Sequence, residues 1–256
     1  MLKAILFDLD DTLIDWSGRS QEWVEYDRYH LRQVYDYITN EIHPLESAEK
    51  FFDTVWLLTM REWNDAKNTF RAPHLGDVLV EACVTLGVPH DNHNLKADHL
   101  LDAYDWEPFP GVVVFPDALE VLPYLREKGL RLGLVTNAYQ PIRLRERELV
   151  AFGLMDYLIE CRISAADIGY LKPHPAIFEE ALRQVGATPE EVVFVGDSTE
   201  ADIVGAQQSG IKGIWRTPRH HVPGQINGTI VPDAEIATLH DLFPILDNWF
   251  PGWREG

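Results

Sequence analysis

The sequence predicts an α/β protein, a doubly wound parallel sheet carrying a smaller, all-helical domain. Three observations lead there. From residue 111 onward, short apolar runs bounded by turn residues alternate with amphipathic stretches, the rhythm of a parallel sheet whose crossovers are helices. Residues 16–106 keep a helical period with no strand-like break, so they read as an insertion of their own. Several apolar runs stop abruptly on acids or hydroxyls, as strands do when chemistry collects beyond their carboxyl ends.

The first run, Ile5-Leu6-Phe7, is a buried strand that ends on Asp8-x-Asp10. Two carboxylates at that spacing, where the chain is turning, converge on one point; they repel and call for a proton, a cation or a divalent metal. The structural alternative is a cap on the following turn. Asp11 suits that role, whereas Asp8 and Asp10 as a pair do not.

In the insertion, Leu31, Val34, Tyr35, Ile38 and Ile42 share one helix face. Ser47 is the expected N-cap of a second helix bearing Phe52, Val55, Trp56, Met60 and Trp63. A third carries Val78, Leu79, Ala82 and Leu86 and stops at Gly87; a fourth holds Leu95, His99 and Ala103. Pro108, Pro110 and Gly111 then make a stiff connector. The expected division is a core of residues 1–14 and 108–256 and a helical cap of residues 15–107.

Beyond the connector, residues 117–128 read as a helix closed by Gly129 and kinked or delayed by Pro123. Arg131–Thr136 is apolar almost throughout, as expected of a strand covered on both faces. A helix over 141–152 closes at Gly153, and 157–161 reads as a short strand. The helix Pro175–Val185 is closed by Gly186, and the run 192–195 is a strand leading to Gly196-Asp197. A helix over 199–209, a strand over 213–215 and a last helix over 239–246 complete the sheet and its cover.

Composition narrows the function. With 46% hydrophobic and 25% charged residues the chain is neither disordered nor fibrous. Its longest apolar runs, 112–115 and 132–135, are far too short to span a bilayer, and the start has no signal-peptide pattern. Cys83 and Cys161, each in apolar surroundings, read as reduced core thiols of a cytoplasmic protein. A formal charge of −19 argues against nucleic-acid binding. It also means that an anionic substrate needs local cations to overturn the field around the site.

Applied to the strand ends, the rule for parallel sheets gathers Asp8 and Asp10, Thr136-Asn137, Gly196-Asp197 with Asp202, and Lys172 from an adjoining loop. Taken singly, Thr136-Asn137 is a strand-to-helix cap, Lys172 a solvated lysine, and Asp202 a partner for a helix dipole. Together they resemble the haloacid dehalogenase (HAD) superfamily, in particular its phosphatases with a helical cap after the first strand. Asp8-x-Asp10-x-Thr12 is similar to its first motif, Thr136-Asn137 to its second, Lys172-Pro173-x-Pro175-x-Ile177-Phe178 to its third and Gly196-Asp197-x-x-x-x-Asp202 to its fourth.

The resemblance implies a Rossmann-like core, with Asp8 as the nucleophile that forms an aspartyl-phosphate and Asp10 as general acid and base. It implies Mg²⁺ held by Asp8, the Asp10 carbonyl and Asp197, with Asp202 holding a bound water or Lys172. Lys172, Thr136 and the backbone at Asn137 then offset the charge of the phosphoryl group. Trp16 and Arg19 follow the first motif closely enough to overhang the site, Arg19 being available to a second anionic group. The other cap tryptophans, Trp23, Trp56 and Trp63, are expected mostly in the core, and the pair His220-His221 exposed to solvent.

The function so implied is a Mg²⁺-dependent phosphomonoester hydrolase acting on a small phosphorylated metabolite under a helical lid. Sugar phosphates, phosphoglycolate-like acids and nucleoside monophosphates all remain open as substrates. The competing readings are a haloacid dehalogenase, against which Asp10 counts, and a phosphomutase. A phosphonatase would need a Schiff-base lysine in the cap, where Lys50, Lys67 and Lys96 occur. A non-catalytic binding protein of the same fold is the reading from a different class. Either a monomer or a homodimer is compatible with the sequence.

Overall fold

The computed structural model describes residues 1–218 and 230–255. The chain begins with β1 (Ala4–Phe7), turns, and forms the two-residue β2 (Ile14–Asp15). Four helices follow, α1 (Trp23–Tyr37), α2 (Ala48–Thr69), α3 (Leu75–Thr85) and α4 (Ala97–Tyr104), a π-helical turn at Ile38–Ile42 extending the first. Then β3 (Val113–Val114) pairs antiparallel with β2. Next come α5 (Pro116–Glu127), β4 (Arg131–Thr136), α6 (Ile142–Ala151), β5 (Cys161–Ser164) and the single-turn α7 (Ala165–Ile168). The chain closes with α8 (Pro175–Val185), β6 (Val192–Gly196), α9 (Val204–Gln208), β7 (Lys212–Arg216), β8 (Ala234–Ile236) and α10 (Leu242–Trp249).

The main sheet runs in the order β5-β4-β1-β6-β7-β8, and every neighbouring pair is parallel. This is the doubly wound α/β architecture the alternating rhythm foretold. Strand β1 lies at its middle, and the chain winds to one side of it for β4 and β5 and to the other for β6 to β8. The carboxyl ends of β1, β4 and β6 therefore open on a single crevice.

Alternation along β1 divides the core. Ile5 and Phe7 join a large apolar cluster on one face, Ala4 and Leu6 a smaller one on the other. The larger cluster continues through Leu9, Leu13, Trp106 and Phe109 into the helices α1 to α4, so the helical layer shares a continuous apolar core with the sheet.

Several elements depart from the sequence reading. The strand expected at 157–161 is formed by Cys161–Ser164, where Arg162 and Ser164 interrupt the apolar pattern and disguise it. The ribbon β2–β3 and the edge strand β8 are too short for alternation to show. Along α4 the buried face is Leu100, Leu101 and Tyr104, whereas His99 is exposed. In the segment 199–209 the chain first makes a π-helical turn, Thr199–Ile203, and only then an α-helix. Pro123 lies within α5 without ending it, and Pro116 occupies its first turn, where a missing N–H costs nothing.

Ser47 caps α2 as expected, accepting from the Lys50 N–H. Asp11 closes its turn, with φ of 57° and its side chain accepting from the Trp16 N–H, but strand β2 rather than a helix follows. Both cysteines are free and buried, and burial pushes each thiol up to about 12, so they are inert core groups. No helix among the described residues is long and apolar enough to cross a membrane. The pair His220-His221 lies outside the described residues.

Candidate active site

Four chain segments meet beyond β1. Asp8 follows the strand directly and is anchored by its N–H donating to the Val195 carbonyl at 2.9 Å. Lys172 reaches in from the loop before α8. Its Nζ donates to Asp8 Oδ1 at 2.6 Å and to the Val135 carbonyl at 2.8 Å, and it pairs with Asp202 Oδ1 at 2.7 Å. Two of the ammonium protons are thus donated, and the ion pair with Asp202 flanks the third side. Asp202 is in turn fixed by Oδ2, which accepts from the Ser198 N–H at 3.0 Å. Gly196 permits this: a Cβ there would collide with the Asp202 carboxylate.

Asp197 completes the acidic group, its carbonyl accepting from Trp215 Nε1 at 2.7 Å. Asp8, Asp197 and Asp202 offer three carboxylate oxygens that lie within 4.8 Å of one another. Burial pushes the Asp8 carboxyl up; Lys172 pulls it back, and Asp202, Asp10 and Asp197 push it up again. Burial likewise raises Asp197 to about 7, helped by Asp202 and Asp11. Burial favours the neutral amine of Lys172, but Asp202 and Asp8 outweigh it and hold the ammonium above the usual lysine range. One buried cation faces more carboxylates than it can neutralise. That donor set, hard oxygens with surplus negative charge, fits Mg²⁺.

Asp10 is turned away from this triad. Its Oδ1 accepts from Trp16 Nε1 at 2.8 Å and from an Arg145 guanidinium nitrogen at 2.9 Å, while Oδ2 stands 3.5 Å from Thr136 Oγ1. Asn137 serves the loop instead: its Oδ1 accepts from the Lys172 N–H at 2.7 Å, and its Nδ2 donates to the Lys172 carbonyl at 3.1 Å. Of the residues singled out in the sequence, Asp8, Asp10, Thr136, Asn137, Lys172, Asp197, Asp202 and Trp16 are brought together. Arg19 is exposed and stands at the edge of the group, bordering with Trp16 and Asp197 a cavity of about 760 Å³ that Asp10 does not line.

Arg145 and Glu148 had escaped the sequence reading. On α6, Arg145 is 3% exposed and Glu148 is fully buried, and they pair at 2.6 Å, three residues apart. Burial pushes Glu148 from its ordinary 4.5 up to about 7, with Arg145 opposing and Asp10 adding to the rise. The sign follows from proton linkage. Between those two values the unfolded chain is ionised and the folded chain keeps the proton. The contribution to stability is complete below the ordinary value and is lost as pH rises through about 7. Asp27, raised to about 6 mainly by burial, acts in the same sense. Thermal unfolding of the metal-free protein from about pH 5 to about pH 8 is expected to show this decline, with a shallower slope in Glu148→Gln; equal slopes would refute it.

A second cavity, of about 310 Å³, opens on the Asp10 side. Trp16, Trp23, Trp56 and Trp63 all border it; Trp23 and Trp63 also pack against the large apolar cluster, as expected, whereas Trp56 is 42% exposed and is the one that departs from the core reading. The reason is geometric, since the face of α2 carrying Trp56, Met60 and Trp63 looks across at the loop after β4 rather than into a neighbouring helix.

The chain is similar to known proteins along nearly its whole length. A glyceraldehyde 3-phosphate phosphatase of Pyrococcus abyssi is 29% identical over 248 residues, 97% of this chain and 95% of the relative. A phosphoserine phosphatase of Thermus thermophilus is 32% identical over 257 residues, 94% and 98% of the two chains. Among solved structures, a 2-haloacid dehalogenase of Pseudomonas syringae superposes with a TM-score of 0.64 at 28% identity, covering 97% of this chain and 100% of its own. The model of the haloacid dehalogenase-like hydrolases matches residues 2–210, and with its motifs gathered at the ends of β1, β4 and β6 the chain belongs to that family of hydrolases.

Proposed function

We propose that the protein is a Mg²⁺-dependent phosphomonoesterase acting on a small phosphorylated metabolite through an aspartyl-phosphate at Asp8. The observation that carries this reading is the Lys172 ammonium held between Asp8 and Asp202, with Asp197 beside them. A carboxylate so placed serves as a nucleophile, and a buried cation beside it offsets the charge of the transferred group.

In the first step an Asp8 carboxylate oxygen forms a bond to phosphorus as the ester P–O bond breaks, and the departing alkoxide takes a proton from Asp10. Oδ1 of Asp10 already accepts from two N–H groups, which leaves Oδ2 as the oxygen through which a proton would be exchanged. In the second step water attacks the phosphorus of the acyl phosphate, giving its proton back to Asp10 and releasing phosphate and the Asp8 carboxylate. Thr136 and Lys172 would offset the charge on the phosphoryl oxygens, by resemblance to the family. Asp8, Asp197 and Asp202 would hold Mg²⁺, with the Asp10 carbonyl completing the set by resemblance; when bound it neutralises nucleophile and phosphate charge.

Residues 1–14 and 108–256 form the catalytic core in this reading, and residues 15–107 a lid that excludes bulk water. The two crossings between them run side by side, since β2 pairs with β3 and the Ser20 N–H donates to the Pro110 carbonyl at 3.1 Å. Dehalogenation has no use for a proton carried on Asp10. Lys50, Lys67 and Lys96 are all exposed and border neither cavity, which speaks against a phosphonatase.

The test is p-nitrophenyl phosphate turnover with Mg²⁺ or with EDTA, alongside thermal unfolding. Turnover should require Mg²⁺, and Mg²⁺ at about a hundred times its Kd should stabilise the fold by about 2.7 kcal/mol. Asp197→Asn should lose most of that shift. Equal turnover in EDTA, or none in either condition, would defeat the proposal.

A further inference from the structure

We propose that the cavity beside Asp10 receives the alcohol half of the phosphoester and selects an uncharged, polyhydroxylated alcohol of monosaccharide size over alcohols that carry a carboxylate. The inference rests on the phosphatase reading and names what that site prefers. Position comes first: Asp10, which protonates the leaving oxygen, borders this cavity together with Asn137. Its volume of about 310 Å³ suits a small leaving group better than a nucleoside.

The walls suit a sugar. Trp63 and Tyr139 stand with ring centroids 6.4 Å apart, and Trp56 and Met60 turn large apolar surfaces toward the opening though each is about two-fifths exposed. Aromatic faces left uncovered in this way pack against the C–H faces of a pyranose or furanose ring. Between them stand two polar groups of complementary kind. Gln140 is 1% exposed, and its Nε2 is buried without a hydrogen-bond partner, a donor that an entering hydroxyl oxygen would satisfy. The Asp27 carboxylate, held by the hydroxyls of Tyr104 and Tyr139, presents an acceptor for a ligand hydroxyl.

Charge supplies the discrimination. Arg145 is the one cationic side chain among the described residues that border the cavity, and it is committed to Asp10 and Glu148. A carboxylate on the leaving group would lie beside the Asp27 carboxylate and find no uncommitted cation among the described residues, Arg145 being held by Asp10 and Glu148. A neutral polyol meets no such penalty.

The experiment compares kcat/KM for ribose 5-phosphate and glucose 6-phosphate with that for 3-phosphoglycerate and phosphoglycolate, taking p-nitrophenyl phosphate as reference. The sugar phosphates are expected to lead by about tenfold or more. Gln140→Leu should lower kcat/KM for the preferred sugar phosphate about tenfold more than for the aryl ester, and Asp27→Asn should narrow the gap to 3-phosphoglycerate. A native enzyme that handles the carboxylate-bearing esters as well as the sugars overturns the inference and needs no variant. Equal losses on every substrate in Gln140→Leu would mark Gln140 as merely structural and overturn it as well. If Mg²⁺-dependent hydrolysis of p-nitrophenyl phosphate is itself absent, the phosphatase reading has failed and takes this inference with it; if it is present, only the choice of leaving group is at stake.

Discussion

Asp8→Asn is expected to abolish Mg²⁺-dependent turnover, and Asp10→Asn to lower it by about 10²–10⁴-fold. The two losses differ in kind. Asp8 supplies the oxygen that bonds to phosphorus, and an amide in its place is no nucleophile, whatever the substrate. Asp10 moves a proton, so its loss depends on how much the departing oxygen needs one. A p-nitrophenolate leaves readily without protonation, whereas a sugar alkoxide does not. Measured as kcat/KM, which reports the steps up to departure of the alcohol, Asp10→Asn should therefore be mild on p-nitrophenyl phosphate and severe on an alkyl ester, while kcat, which includes the water step common to both, falls on either. Equal losses of kcat/KM on the two esters would remove Asp10 from protonation of the leaving oxygen.

Arg145→Met carries the largest expected effect on stability. The guanidinium lies between Asp10 and Glu148, and Glu148 has no exposure at all. Removing the cation leaves a buried carboxylate uncompensated, which costs about 3–5 kcal/mol. Replacing both partners, Arg145→Met with Glu148→Leu, takes away the stranded charge as well and should restore most of the loss in Tm. Turnover of alkyl esters should stay low in the double variant, because Oδ1 of Asp10 no longer has its second donor. Arg145 is the group that opposes the rise of the Glu148 carboxyl, so in its absence Glu148 takes up a proton at higher pH still, and the penalty of the single variant should shrink on acidification. A double variant as unstable as the single one would show that packing around the guanidinium, rather than charge, is what the site needs.

The sheet and its catalytic rim were legible because both follow from simple periodicities. A continuous apolar strand in an α/β chain points its carboxyl end at the functional crevice, and Asp8, Thr136 and Asp197 each sit just there. Lys172 was legible through its motif. Arg145 was not, because the run Arg143-Leu144-Arg145-Glu146-Arg147-Glu148 has the composition of a solvated helix face. Tertiary packing sorts these charges: Arg143 pairs with Asp98 and Asp102, Arg147 with Asp105, and Arg145 with Glu148 turns underneath. The true face of α4 was hidden for the same kind of reason, its short length letting either of two apolar stripes pass for the inner one. Trp56 was misjudged because helical spacing states that residues share a side, not what that side looks upon.

Where α2 ends, the Phe70 carbonyl accepts from the Leu171 N–H at 2.8 Å, and the Ala72 N–H donates to the Gly169 carbonyl at 3.0 Å. The roof is thus stitched, main chain to main chain, to the very loop that carries the ammonium. Raising the whole roof either drags that loop outward or ruptures both stitches, at about 0.5–1.5 kcal/mol apiece. A lift that keeps both stitches would carry the Lys172 loop outward and draw the positive charge from its seat, whereas one that breaks them would leave the charge where Asp8 and Asp202 hold it.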